Sequence, residues 1–316
     1  MKILITGGAG FLGQRVARRL LAEYPDSTTT LVLADYVATD AFAGEPRVHA
    51  VACDISDRAA LARLLTPDTA VVYHLAAIVS GQAEAEFDLG LRVNLAATEV
   101  LLELCRRLPA PPKFVFASSL AVFGGVPADA VSEQTAVCPQ SSYGTQKAIG
   151  ELLVNDYSRK GFIDGRALRL PTIAVRPGKP NRAASSFVSG IIREPLHGLP
   201  AACPVGRDVL VAISSPNTAV ENLVYAHRLP AAAWGASRTL ILPGLSVTIG
   251  EMLDTLARVA GAEVAARVRF ERDEAVERIV LTWPARLDCT RARSLGFQVD
   301  RDFESILRGY QRDAGR

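Results

Sequence analysis

Tyr143 and Lys147 stand four residues apart in Ser142-Tyr143-Gly144-Thr145-Gln146-Lys147, the spacing that puts two side chains on one face of a helix. A phenol titrates near pH ~10 and is a poor base at neutral pH. An ammonium held beside it favours the phenolate and makes a tyrosine a usable proton acceptor. Upstream, Ala117-Ser118-Ser119 offers hydroxyls that can hold a substrate oxygen while its proton leaves. Alone, a Tyr-x-x-x-Lys pair is equally what a solvated amphipathic helix carries, so its meaning depends on the elements around it.

The N-terminus supplies that context. Lys2 to Thr6 reads as a short buried strand, followed by Gly7-Gly8-Ala9-Gly10-Phe11-Leu12-Gly13 and a helical run with Val16, Leu20 and Leu21 inward. Strand, glycine-rich turn and helix in this order form the setting of a dinucleotide pyrophosphate. Gly7 allows the tight turn, Gly10 lets backbone N–H groups approach the phosphates, and Gly13 lets the helix lie close on the strand. Phe11 and Leu12 open that helix, whose positive end faces the anion. The next strand, Thr30 to Ala34, ends in Asp35, about twenty residues on, where a carboxylate accepts both ribose hydroxyls of the adenosine half. That charge repels a 2′-phosphate and Tyr36 offers no cation to receive one, which argues for NAD over NADP. The plain alternative is a turn aspartate.

A third strand is predicted over Val48 to Cys53, with Asp54 and Ile55 at its end placed to reach the adenine edge. Ala70 to His74 is a fourth, continued by Leu75-Ala76-Ala77, whose small residues let the backbone pass close to the cofactor. His74 reads as strand packing. A long helix is expected from Glu84 to Leu108 with Asn94 inside it, an awkward residue for a helix interior. Spacing alone leaves open whether Asn94 is solvated, holds a water or bends the helix. Lys113 to Ala117 makes a fifth strand that delivers Ser118 and Ser119 at its C-terminal end, where open α/β sheets bind ligands. Strands alternating with helices predict an α/β, Rossmann-type, doubly wound parallel sheet.

The second half changes character. Ala167 to Val175 is an apolar strand broken by Pro171, and Arg176-Pro177-Gly178-Lys179-Pro180-Asn181-Arg182 follows, a rigid cationic loop. It is either an ordinary solvated loop or an anion site, for which an arginine's two-pronged grip on a carboxylate is suited. A helix is expected from Ser185, ending before Pro195. Others are expected over Pro216 to Arg228, over Thr248 to Ala260 with Gly261 as stop, and near Phe303 to Tyr310; Leu240 to Leu242 should return to the main sheet. The expected division is a nucleotide domain over 1–175, with return segments near 213–243, and a smaller α+β substrate lobe over 176–212 and 244–316.

Composition narrows the classes. The 316 residues carry a net charge of +2 with no clustered basic stripe, so a nucleic-acid partner has no support. No apolar run reaches the ~18 residues of a membrane span. The four histidines lack ligand spacing, so no metal site is expected. Five scattered cysteines without a Cys-x-x-Cys pair, and a start that runs straight into a strand, lead to the expectation of a reduced, cytoplasmic protein without a signal peptide.

Thr6-Gly7-Gly8-Ala9-Gly10-Phe11-Leu12-Gly13, Asp35, His74-Leu75-Ala76-Ala77, Asn94, Ser119 and Tyr143-x-x-x-Lys147 together resemble the extended short-chain dehydrogenase/reductase family. The resemblance implies that Tyr143 is the general base, that Lys147 lowers its pKa and binds the nicotinamide ribose, and that Ser119 orients the substrate oxygen. Phe123 replaces the family's usual tyrosine and Ala97 its common glycine; neither change removes a catalytic group. Arg176 to Phe187, Ile192 to Pro195 and Ser215 to Asn222 resemble a branch of that family, often labelled as a sugar-nucleotide epimerase, that oxidises a four-carbon sugar acid at C2. The substrates so implied are D-erythronate or L-threonate. Candidates for holding the sugar acid are Ser80 for a hydroxyl, Ser118 beside Ser119, and Arg176, Lys179, Asn181 and Arg182 for the carboxylate. The alternatives are a nucleotide-sugar epimerase or dehydratase, which returns the hydride, and a non-catalytic NAD sensor. The resemblance also implies a homodimer paired through the helices around 84–108 and 143–160.

Overall fold

A computed structural model describes residues 1–25, 28–125, 130–178 and 183–315. The strands are β1 (Lys2–Thr6), β2 (Thr30–Asp35), β3 (Val48–Ala52), β4 (Thr69–His74), β5 (Lys113–Ser119), β6 (Asp164–Leu170), β7 (Thr172–Ile173), β8 (Ala201–Cys203), β9 (Leu210–Ser214), β10 (Thr239–Ile241), β11 (Leu245–Thr248) and β12 (Val268–Phe270). Seven of them form one sheet in the order β10-β6-β5-β4-β1-β2-β3. From β3 across to β5, neighbours pair in parallel. Ile3, Leu4, Ile5, Val72 and Tyr73 are wholly buried. Both faces of β1 and β4 are covered, which is why they read as continuous apolar runs rather than as alternation. The strand order turns at β1, between β2 and β4, and the carboxyl ends there are where such sheets take ligands. The α/β, doubly wound expectation therefore holds.

The helices of the first half are α1 (Phe11–Glu23), α2 (Arg58–Leu64), α3 (Ser80–Ala85), α4 (Phe87–Gly90), α5 (Ala97–Cys105) and α6 (Ser142–Arg159). The single helix expected over 84–108 is instead α3, α4, a π-helical turn over Leu91–Ala96, and α5. Asn94 lies in the π turn, where its carboxamide accepts from Ile78 N–H at 2.8 Å and donates to Ile78 O at 3.0 Å. A side chain tied to a separate backbone segment marks where the regular ladder gives way. In the second half, α7 (Ser186–Leu196) runs through Pro195 rather than stopping before it. The proline stands in the last turn, where it forfeits one ladder bond; His197 N–H still closes that turn on Arg193 O and Glu194 O. The helix α8 spans Pro216–Arg228, and the helix over Ile249–Ala260 starts on a reciprocal Thr248–Glu251 cap and ends at Gly261, as expected.

The chain divides into two compact units. The first comprises Met1–Ser119, Ser141–Arg169 and Val220–Leu240; the second comprises Leu120–Gln140, Leu170–Ala219 and Ile241–Arg316. Leu4, Val72, Leu101, Phe114, Phe116 and Val154 belong to the core of the first. Its last segment is tied in by Asn155, which donates to Thr239 Oγ1 at 2.7 Å, and by fully buried Arg166, which donates to the carbonyls of Ala226 and Leu229. The second unit has its own core, with Ile191, Ile192, Ile213, Met252, Leu256 and Leu307. No helix among the described residues is long and apolar enough to cross a membrane.

Two buried histidines give the first unit an acid-sensitive interior. His74 lies between Thr6 Oγ1, 2.7 Å from Nδ1, and Thr98 Oγ1, 2.8 Å from Nε2. Because Thr98 donates its proton to Asn94 O, it accepts from Nε2–H, and Nδ1 accepts from Thr6: a neutral ring satisfied on both sides. His227 is held between the hydroxyls of Tyr73 and Tyr24. Burial, reinforced by Lys147, pulls His74 down to about 3. Burial, reinforced by Lys113, Arg166 and Arg228, pulls His227 down to about 4. Below about pH 6.5 the unfolded chain binds protons that the folded one refuses. The stability is full above that pH and is lost as the pH falls toward the folded values. At pH 5.5 each histidine costs about 1.4 kcal/mol, so the two together cost about 3 kcal/mol relative to pH 7.5. Urea midpoints at the two pH values check this, and a His227→Gln variant should lose about half of the difference; equal midpoints in the parent would refute it.

Candidate active site

The glycine turn closes on itself in the way the sequence demands. Gly7, at φ 71°, accepts from Gly10 N–H at 3.1 Å, and Gly10 caps α1 in extended conformation. A Cβ on Gly13 would lie 2.1 Å from Gly7 O, and one on Gly7 would lie 2.8 Å from Ala76 N. Helix, turn and the Leu75-Ala76 backbone are thus in close contact because no side chain intervenes. No side chain caps α1 and no acidic residue lies in its first turn, so the N–H groups at Phe11 and Leu12 keep their positive end free for an anion. Asp35 ends β2 and accepts from Ala9 N–H at 3.0 Å and from Tyr36 N–H at 2.8 Å. This cradle fits a dinucleotide: a pyrophosphate against the glycine turn and a ribose against a carboxylate that forms no ion pair among the described residues. Asp54 is exposed and engaged by Ser56 N–H and Oγ, which lower its pKa, while Ile55 is buried.

Ser141 caps α6 by accepting from Gly144 N–H at 3.1 Å, and Glu84 accepts from Ser142 N–H at 2.8 Å. These contacts fix the start of α6, so Tyr143 lies in its first turn and Lys147 one turn on. The Lys147 ammonium stands 5.7 Å from the Tyr143 ring centroid and 4.7 Å from that of Phe116 on β5. Ser119, at the end of β5, is hydrogen-bonded to the Tyr143 phenol. The three residues singled out by type and spacing are therefore neighbours.

Their electrostatics differ from the simple expectation. Burial pushes Tyr143 up to about 12, and the Ser119 hydrogen bond opposes that only in part. Burial also pulls Lys147 down to about 8, opposed by the charge of Glu151. Desolvation of the phenolate is the dominant influence on the phenol here. The expected lowering of Tyr143 is not what this structure shows.

Other candidates sort by their contacts. Ser118, expected beside the substrate oxygen, is buried and donates to Glu151 Oε1 at 2.5 Å. Asn94 is buried rather than solvated, and besides Ile78 it donates to Gln146 Oε1 at 2.8 Å, so its polar atoms are spent on protein partners. Ser80 opens α3 and is half-buried. Arg176 belongs to the second unit, where its backbone is held by Ser189 and Arg193. Burial and the nearby Arg193 lower its pKa, and among the described residues no carboxylate pairs with it. Lys179, Asn181 and Arg182 lie outside the described residues.

Three residues of this site were missed. Glu151 is a buried carboxylate four residues beyond Lys147, Arg169 on β6 pairs with it at 2.7 Å, and Gln146 receives Asn94. The continued four-residue spacing, Tyr143 to Lys147 to Glu151, was the available signal.

Comparison with known proteins identifies the family. Residues 3–211 match the NAD dependent epimerase/dehydratase family. A Cupriavidus necator protein named D-erythronate dehydrogenase is 53% identical, over 100% of this chain and 99% of its own. A Haemophilus influenzae protein of the same name is 48% identical, over 98% of each chain. The crystal structure of an Agrobacterium tumefaciens protein named as a nucleoside-diphosphate-sugar epimerase superposes with a TM-score of 0.94 at 40% identity, covering 99% of this chain and 94% of that one. With its glycine cradle intact and this match spanning most of the nucleotide half, the chain belongs to the NAD-dependent epimerase/dehydratase family.

Proposed function

We propose that the protein oxidises the C2 hydroxyl of D-erythronate to the 2-oxo acid with NAD. The observation that carries this reading is the end-to-end similarity, at about half identity, to two proteins named for that activity, combined with an intact Ser119–Tyr143–Lys147 set. Ser119 holds the C2 oxygen. Tyr143 takes its proton, and Lys147, protonated below about pH 8, favours the phenolate and binds the nicotinamide ribose. Bound NAD supplies the hydride acceptor and a positively charged ring. Gly7, Gly10, Phe11 and Leu12 hold the pyrophosphate; Asp35 holds the adenosine ribose. The products are the 2-oxo acid, NADH and a proton.

Incubation with NAD and D-erythronate, followed at the NADH absorbance band, tests the reading. L-threonate and other aldonic acids set the specificity. The second reading is favoured by the likeness to the Agrobacterium protein, which bears an epimerase's name: an epimerase converts a nucleotide sugar without net NADH. Conversion of a nucleotide sugar with no NADH from any aldonic acid would replace the first reading by the second.

Arg176 is proposed for the substrate carboxylate from its place in the sequence resemblance alone. Arg176→Ala should raise KM for D-erythronate at least about tenfold, a loss of ~1.4 kcal/mol in kcat/KM. An unchanged KM would remove Arg176 from the site. A homodimer is part of the same proposal. It is supported by Phe87 on α4 and by Ile149 and Leu152 on α6, large apolar side chains left exposed on the helices named for pairing. Light scattering that gives a monomer mass would overturn it.

A further inference from the structure

Helix α6 carries three ionisable residues at four-residue steps, Tyr143, Lys147 and Glu151. The first two have roles in the proposed reaction; the third has none. Glu151 is buried, and so are Arg169 and Ser118, which bond its carboxylate. Arg169 Nε donates to both its oxygens, at 2.9 and 3.1 Å, and Arg169 Nη2 donates at 2.7 Å. Ser118 Oγ donates at 2.5 Å. One carboxylate therefore joins the end of β5, the face of α6 and β6. Four donor contacts satisfy this buried carboxylate.

The charges around Lys147 make this arrangement matter. On its own helix it has Tyr143 on one side and Glu151 on the other. Phe116 on β5 presents a ring face, His74 on β4 is neutral, and Arg169 on β6 is turned onto Glu151. Among the described groups, Glu151 is the anion that acts on the buried ammonium, opposing the burial that would strip its proton. Ser118 extends the effect to the substrate side: the hydroxyl that Glu151 holds belongs to the residue just before Ser119, which bonds the phenol.

We infer that Glu151 is a positioning residue that stands one turn from Lys147 as its anionic neighbour and, through Ser118, sets Ser119 against Tyr143. The inference rests on the roles proposed for Tyr143 and Lys147. Arg169 serves it by fixing the carboxylate between β6 and α6. An ordinary buried ion pair stabilising the fold would leave the titration of Lys147 where it is.

The test is the pH dependence of competitive acetylation of Lys147 in the full-length protein, read by mass spectrometry without substrate. Glu151→Gln should lower the Lys147 midpoint by about one pH unit, and Glu151→Asp should restore most of it. Ser118→Ala, which keeps the charge, should leave the midpoint in place. An unmoved midpoint in a folded Glu151→Gln protein overturns the inference. If that variant does not fold, Glu151→Gln combined with Arg169→Met removes both charges, and a downward shift of less than about one pH unit is expected, an unmoved or raised midpoint overturning the inference. In D-erythronate turnover, the limb of the kcat/KM profile that reports loss of the Lys147 proton should move by the same amount. The acetylation midpoint involves no turnover, so a protein that makes no NADH refutes the proposed reaction and leaves this measurement to decide the role of Glu151.

Discussion

Tyr143→Phe is expected to reduce kcat/KM for D-erythronate at least about a thousandfold, ~4 kcal/mol of transition-state stabilisation, while NAD binds as before. The variant keeps the ring that lies beside Lys147 and removes only the proton acceptor, so packing and the nucleotide cradle are spared. The phenol is hydrogen-bonded to Ser119 and buried enough to be pushed up to about 12, so no solvent base replaces it cheaply. NAD affinity followed by fluorescence, alongside initial rates of NADH formation, separates binding from chemistry. A variant retaining a tenth of the parent's turnover would remove Tyr143 from the role of base.

Gly13→Ala is expected to damage the nucleotide fold itself. The added methyl would meet Gly7 O at 2.1 Å and Gly8 Cα at 2.8 Å, and both are backbone atoms with no rotamer to yield. Either α1 moves off β1 or the turn opens. Overpacking of this kind costs about 3 kcal/mol, and NAD affinity should fall at least about tenfold with it. Gly10→Ala provides the contrast. Gly10 is exposed, and its Cβ would come no nearer than 3.1 Å to Gly7 O, so the melting temperature should hold while NAD affinity drops. Melting curves and NAD titrations of the two variants, side by side, check both statements; a Gly13→Ala protein that melts and binds like the parent would contradict the close packing described for this turn.

These two sites were legible from sequence for the same reason. The glycine turn is dictated by backbone geometry, and Tyr143 with Lys147 by helical period, both of which are local. What stayed hidden was long-range or environmental. Glu151 and Arg169 meet only because α6 and β6 are adjacent, and nothing in their eighteen-residue separation announces a pair. Asn94 reads as awkward in a helix, but the Ile78 backbone that it ties down sits sixteen residues earlier. The direction of the Tyr143 shift depends on how much water reaches the phenol, which spacing does not encode. Ser118 and Ser119 look equivalent in sequence, yet one faces the ion pair and the other the phenol.

The first unit is closed by three separate stretches of chain, the last running from Val220 to Leu240. On the ribosome it therefore stays open until Leu240 has emerged, well after its other strands have been made. Until then β6 has no β10 along its edge, and the Tyr73 hydroxyl deep in β4 lacks its imidazole partner on α8. A nascent chain paused before residue 220 presents an unpaired strand edge, the kind of surface on which chaperones act and from which aggregation starts.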